Sequence, residues 1–173
     1  LQRHAELIRR VLTCANGLGR VAIVTSASRP WVFESAEQFL PGLNLAGLFQ
    51  DLKIPVYYAS EYQRSAEGTG DAEEELEEQA AWKRNAMSEF LQLISADRGE
   101  GSGSTNILSI GDSLAEKYAA KAAADSVGAR GIQRPLCKTV KLMSDPSLKQ
   151  LSDQLEILEA QLERLASVDR DFD

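Results

Sequence analysis

The run Asn106–Ala120, NILSIGDSLAEKYAA, drives a mostly apolar segment into Gly-Asp-Ser and sets Glu116 four positions after Asp112. A carboxylate at a strand end, with a second one helical turn on, offers hard oxygen ligands of the kind that hold Mg²⁺. Two other places complement it. Thr25 and Ser26 close the run VAIVT with hydroxyls, and Lys83 brings an ammonium; both groups suit phosphate oxygens. Each residue also has an ordinary alternative taken singly. Thr25 would cap the next helix, Lys83 would be one more solvated lysine beside Arg84, Asp112 would be a turn or N-cap residue, and Glu116 a helix-surface acid.

The elements that would position these groups follow from periodicity. Leu1, Ile8, Leu12 and Ala15 share one helical face, and Asn16–Gly19 supplies a stop. VAIVT then reads as a short buried strand. A loop enters a helix with Pro30 in its first turn, Pro41-Gly42 closes it, and a helical patch around 43–52 leads into a second strand, IPVYYAS. The acids between Asp71 and Glu78 predict a flexible loop entering a solvated helix face, which becomes amphipathic from Trp82 to Ile94. NILSI is the third strand, followed by a helix from Ser113 to Ala124, and CKTVKLM is the fourth. A Leu-rich helix over 147–167, with a Ser/Asp cap and Pro146 near its start, ends the pattern.

This alternation predicts one three-layer, Rossmann-like α/β domain over residues 1–173, with a mostly parallel sheet and mobile loops near 63–72 and 97–105. In such sheets the carboxyl ends of strands carry the site, so Thr25 and Asp112 are expected at one edge. The chain nevertheless opens with a helix that no strand precedes.

The ordered set VAIVTSA, then Lys83, then ILSIGDSLAE resembles motifs two, three and four of the haloacid-dehalogenase (HAD) superfamily, most of whose members are Mg²⁺-dependent phosphohydrolases. Glu116 stands where Asp is commoner. VAIVTSASRPWVFESAEQFLPGL, YYASEY, WKRNAM, NILSIGDSLAEK, KTVKLMSDPSLKQLSDQLEIL and DRDFD are similar to a group of HAD-like proteins from algae and other protists, over roughly Gly19 to Asp173. The resemblance implies a HAD core. It makes Thr25, with Ser26, the phosphate-contacting hydroxyl and Lys83 the cation that steadies phosphate charge. Asp112 becomes the metal-binding acid, with Glu116 positioning it or its water. The family's first motif, an Asp-x-Asp that supplies nucleophile and acid/base, has no counterpart after an apolar strand. The only acid before Val21 is Glu6, inside a helix, and Asp169-Arg170-Asp171 lies in a polar tail. The first-motif strand is thus missing from the chain, and catalysis is not expected from the residues present. The chain also begins at Leu1 rather than Met, which suggests processing or truncation.

Other chemistries fail on order or inventory. A response regulator places its acids first and its Lys last, the reverse of Thr25, Lys83, Asp112. GLG and GEGSG both precede strands, whereas a dinucleotide fingerprint follows one. His4 is the single histidine, so neither a Ser-His-Asp triad nor a zinc site is credible, and a surface or packing role is expected for it. The formal net charge of −7 argues against nucleic acid. No run of about twenty apolar residues spans a membrane. Cys14 and Cys137 read as two reduced thiols, which fits an intracellular, soluble or peripheral protein.

Partner binding is the remaining expectation. Arg29 and Trp31 follow the phosphate strand; they would contact an anion or partner and wall a cleft, or the indole would pack on the sheet while Arg29 stays solvated. Leu148, Leu151, Leu155, Leu158, Leu162 and Leu165 form a short heptad seam, widened by Ile157 as for a helix lying on a sheet; core packing is its expected role, with the distal turns at Leu162 and Leu165 as the alternative partner face. The reading that results is a catalytically inactive HAD-like module that binds a protein partner or sits in a larger assembly. The alternative is a Mg²⁺-dependent phosphomonoesterase whose nucleophile strand lies upstream of Leu1.

Overall fold

A computed structural model describes residues 1–63, 72–98, 106–129 and 133–173. Its elements run α1 (Gln2–Leu18), β1 (Ile23–Thr25), α2 (Arg29–Phe39), α3 (Leu45–Leu52), β2 (Val56–Tyr58), a 3-10 turn (Ala59–Tyr62), α4 (Ala72–Arg98), β3 (Asn106–Gly111), α5 (Leu114–Gly128), β4 (Leu136–Lys141) and α6 (Leu148–Ser167). The chain is mixed α/β with short sheets, and the alternating order agrees with the expected one. The loops expected near 63–72 and 97–105 fall largely outside the described residues.

Among the described residues the strands form two two-stranded sheets, β1–β2 and β3–β4, rather than one four-stranded sheet. β3 and β4 run parallel, from Asn106 opposite Leu136 to Gly111 opposite Lys141. VAIVT yields only three strand residues because its partner is equally short; the chain turns into the 3-10 helix at Ala59, directly after Tyr58. NILSI is likewise less enclosed than its apolar sequence suggests. β3 takes α5 on one face and β4 on one edge, and Ile107, Leu108 and Ile110 stay half-buried.

The chain packs as two compact units. The first holds residues 1–23, 27–56 and 143–167. Ala5, Ile8 and Leu12 of α1 meet Leu43 and Leu48, with Leu40, Leu45 and Leu52 around them. The Asn44 side chain caps α3 by accepting from the Gly47 amide at 2.9 Å. Among the described residues α6 packs mainly against α1 rather than on a sheet, and Leu158 and Leu162 are buried. Ile157 does not widen the apolar stripe. It is 66% exposed, because one helix neighbour covers a narrower arc than a sheet would.

The second unit holds residues 24–26, 57–142 and 168–173. Its centre is the α4–α5 packing, made close by a face of α5 built from Ala115, Ala119, Ala120, Ala123 and Ala124. Met87 and Leu91 of α4, Val127 of α5, Ile107 of β3 and Cys137 of β4 fill the space these alanines leave. α4 is longer than its amphipathic stretch: Glu73, Glu74 and Glu75 form its first turn, where carboxylates favour the positive end of the helix dipole.

Candidate functional site

β3 delivers Gly111 and Asp112 to its carboxyl end, and α5 starts three residues later. Ser113 is the N-cap of α5. Its hydroxyl oxygen accepts from the Ala115 amide at 3.2 Å, while the Glu116 carboxylate reaches back to accept from the Ser113 amide at 2.9 Å and from the Ser113 hydroxyl. This is a capping box, which satisfies amide donors that a helix start otherwise leaves open. To turn back, the Glu116 side chain lies over Gly111. A Cβ at Gly111 would come within 2.5 Å of the Glu116 Cγ, so the strand end needs a residue without one.

The other Glu116 oxygen takes the ammonium of Lys83, which α4 points inward. Lys83 is 7% exposed overall, and in the pair the side chains expose 8% for Lys83 and 13% for Glu116. Burial alone would raise the Glu116 carboxyl, but hydrogen bonds from Lys83 and Ser113, with the Lys83 charge, outweigh it and lower its pKa. The carboxylate is therefore charged, mostly covered and bonded through both oxygens. A buried ion pair of this kind is costly to break from one side, because the remaining charge stays out of water.

The expected site residues separate accordingly. Lys83 and Glu116 meet, but they meet each other. Asp112 is exposed at the end of β3, and Thr25 and Ser26, which close β1, group with the same compact unit. Arg29 and Trp31 belong to the other unit. Trp31 is 53% exposed, so its indole is not packed away on a sheet. Leu162 is 2% exposed on α6, which packs against α1, as the core-packing reading of its seam expects, while Leu165 is half-buried. His4 is a packing residue, buried between α1 and α6, with its Nδ1 3.1 Å from the Ser152 hydroxyl. That hydroxyl donates to the Leu148 carbonyl at 2.9 Å, so it accepts from the ring. Desolvation, with the N-terminal charge, pushes the His4 pKa down.

Sequence reasoning missed two features. The first is the Ser113-x-x-Glu116 capping box, whose signature is legible in the spacing alone. The second is Lys138, fully buried in the middle of β4, whose ammonium is pushed down by desolvation and supported by Asp169. Among the described residues no three or more His, Cys, Asp or Glu side chains gather as a metal would require, and no helix is long and apolar enough to cross a membrane. Comparison with known proteins finds no matching family model, no matching curated protein and no matching solved structure.

Proposed function

We infer that this chain is a catalytically inactive HAD-like module, acting through binding a protein partner or as part of a larger assembly. The observation that carries the reading is the closed Lys83–Glu116–Ser113 unit. The lysine that would hold phosphate charge is neutralised internally, and the second acid of the candidate metal site is spent on the lysine and the helix cap. Of the two carboxylates expected to hold Mg²⁺, Asp112 is exposed, whereas Glu116 is engaged by Lys83 and the α5 cap.

A second reading has one observation in its favour. Thr25, Lys83 and Asp112 all fall within the same compact unit, as a Mg²⁺-dependent phosphomonoesterase completed by a further strand would need. The two readings part in one assay. Purified protein with Mg²⁺ and p-nitrophenyl phosphate is expected to show no turnover above buffer. Turnover that disappears in Asp112→Asn would establish the phosphomonoesterase instead.

A further inference from the structure

The outer edge of β4 carries polar contacts that the Lys83 site does not use. The Leu142 amide, just past β4, donates to the Gly111 carbonyl at 2.7 Å, and by alternation the amides of Lys138 and Val140 also face β3. The odd-numbered amides turn the other way. The Cys137 amide donates to Asp171 Oδ1 at 2.8 Å and the Thr139 amide to the Phe172 carbonyl at 2.9 Å, while Lys138 and Phe172 form a parallel bridge. Side chains then grip the acids on either side of Phe172. Arg134 holds Asp171 at 2.8 Å; Lys117 and Lys121 hold Asp173 at 2.9 and 2.6 Å, and the Thr139 hydroxyl lies 3.3 Å from the same carboxylate.

We propose that this edge is a binding groove for an extended acidic segment of a partner protein, read as Asp-x-Asp and added to β4 as a parallel strand, with residues 168–173 as its resident and displaceable occupant. The pattern comes from the occupant itself. Strand addition supplies main-chain hydrogen bonds to any sequence, and the alternate side chains, here Asp171 and Asp173, supply selectivity through three cations on a chain of net charge −7. Displaceability follows from how lightly the tail is held. β3 pairs with β4 along six residues, whereas the tail has one bridge and ion pairs whose side chains are 27–47% exposed and therefore screened by salt. Nothing in this groove depends on whether the Lys83 site does chemistry.

The test uses a fluorescein-labelled synthetic peptide of residues 168–173 and the full chain carrying Asp171→Asn and Asp173→Asn, which loosens the resident tail. The peptide is expected to bind this variant at least about tenfold more tightly than the unaltered chain, where the tethered tail competes at high effective concentration. Binding to the variant is expected to weaken in added salt and with Lys121→Ala. A peptide with both acids changed to Asn is expected to bind about tenfold more weakly than the acidic one. Equal affinity for the two chains, or for the two peptides, overturns the proposal. Hydrogen exchange on the unaltered chain gives a readout independent of the variant's folding: the Cys137 and Thr139 amides should exchange at least about tenfold faster than those of Lys138 and Val140. Equal protection would make the tail a fixed strand and overturn the proposal as well.

Discussion

Arg10 on α1 grips Glu159 on α6 through its Nε at 2.9 and 3.1 Å, with side chains 49% and 26% exposed. Lys83 on α4 grips Glu116 on α5 with both side chains nearly sealed. The chemistry is the same, a cation on one helix and a carboxylate on its neighbour, and the surroundings are opposite. On the open α1–α6 surface water competes for both charges, so the pair adds little to what the buried leucines already hold. Between α4 and α5 water is shut out, and Glu116 has a second duty at the cap of α5. Sequence type alone ranks the two pairs equally; burial decides which one the fold depends on.

The comparison breaks most sharply at Glu116. Glu116→Gln leaves the Lys83 ammonium buried beside a neutral amide, and a loss of about 3–5 kcal/mol in unfolding free energy is expected from urea denaturation. Gly111→Ala comes next. It forces the Glu116 side chain off the strand end, an overpacking with an expected cost of about 1–3 kcal/mol in the same measurement.

The pH dependence separates the two regions further. The folded-state pKa of His4 lies below its ordinary 6.5, so the unfolded chain takes up the proton first and stability falls as pH drops from about 6.5 toward the folded value. Arg3 and Arg10 on the same helix are raised further by hydrogen bonds to Glu156 and Glu159 and stay charged across that window, so His4→Gln should remove the slope. A slope unchanged in His4→Gln would assign it elsewhere. Glu116 acts lower. Its pKa lies below 4.5, so its stabilisation is present above that value and is lost as pH falls through the folded pKa. The smallest effect is expected at the exposed pair: Arg10→Ala should leave the urea midpoint unchanged within error, at low and at high salt.

The element order was legible because local chemistry and period agreed. Pro30 opens α2, the alanines of α5 keep a helical period, and NILSI and CKTVKLM became the parallel pair β3–β4. Glu116 was legible in position and misleading in role. A carboxylate four residues after Asp112 suits a metal, but three residues after Ser113 it suits a cap, and only the packing of α4 brings Lys83 to it. The Leu seam packs as expected, with Leu158 and Leu162 buried, but Ile157 was misjudged because a helix seam does not say whether a sheet or a single helix will cover it. The tail was the least legible. Asp171 and Asp173 have no apolar run around them, and their partners, Lys117, Lys121, Arg134 and Thr139, come from elements far away in sequence.

A double-mutant cycle on Lys83 and Glu116, read by urea denaturation, tests the structural role of their pair most directly. Lys83→Met, Glu116→Leu and the double variant would be compared with the unaltered chain. A coupling of about 2–3 kcal/mol is expected, with Glu116→Leu far less costly once Lys83 is already Met. Additive losses, with no coupling between the two positions, would contradict it: the ammonium and carboxylate would then be independent groups, free for the ligand chemistry that their pairing denies them.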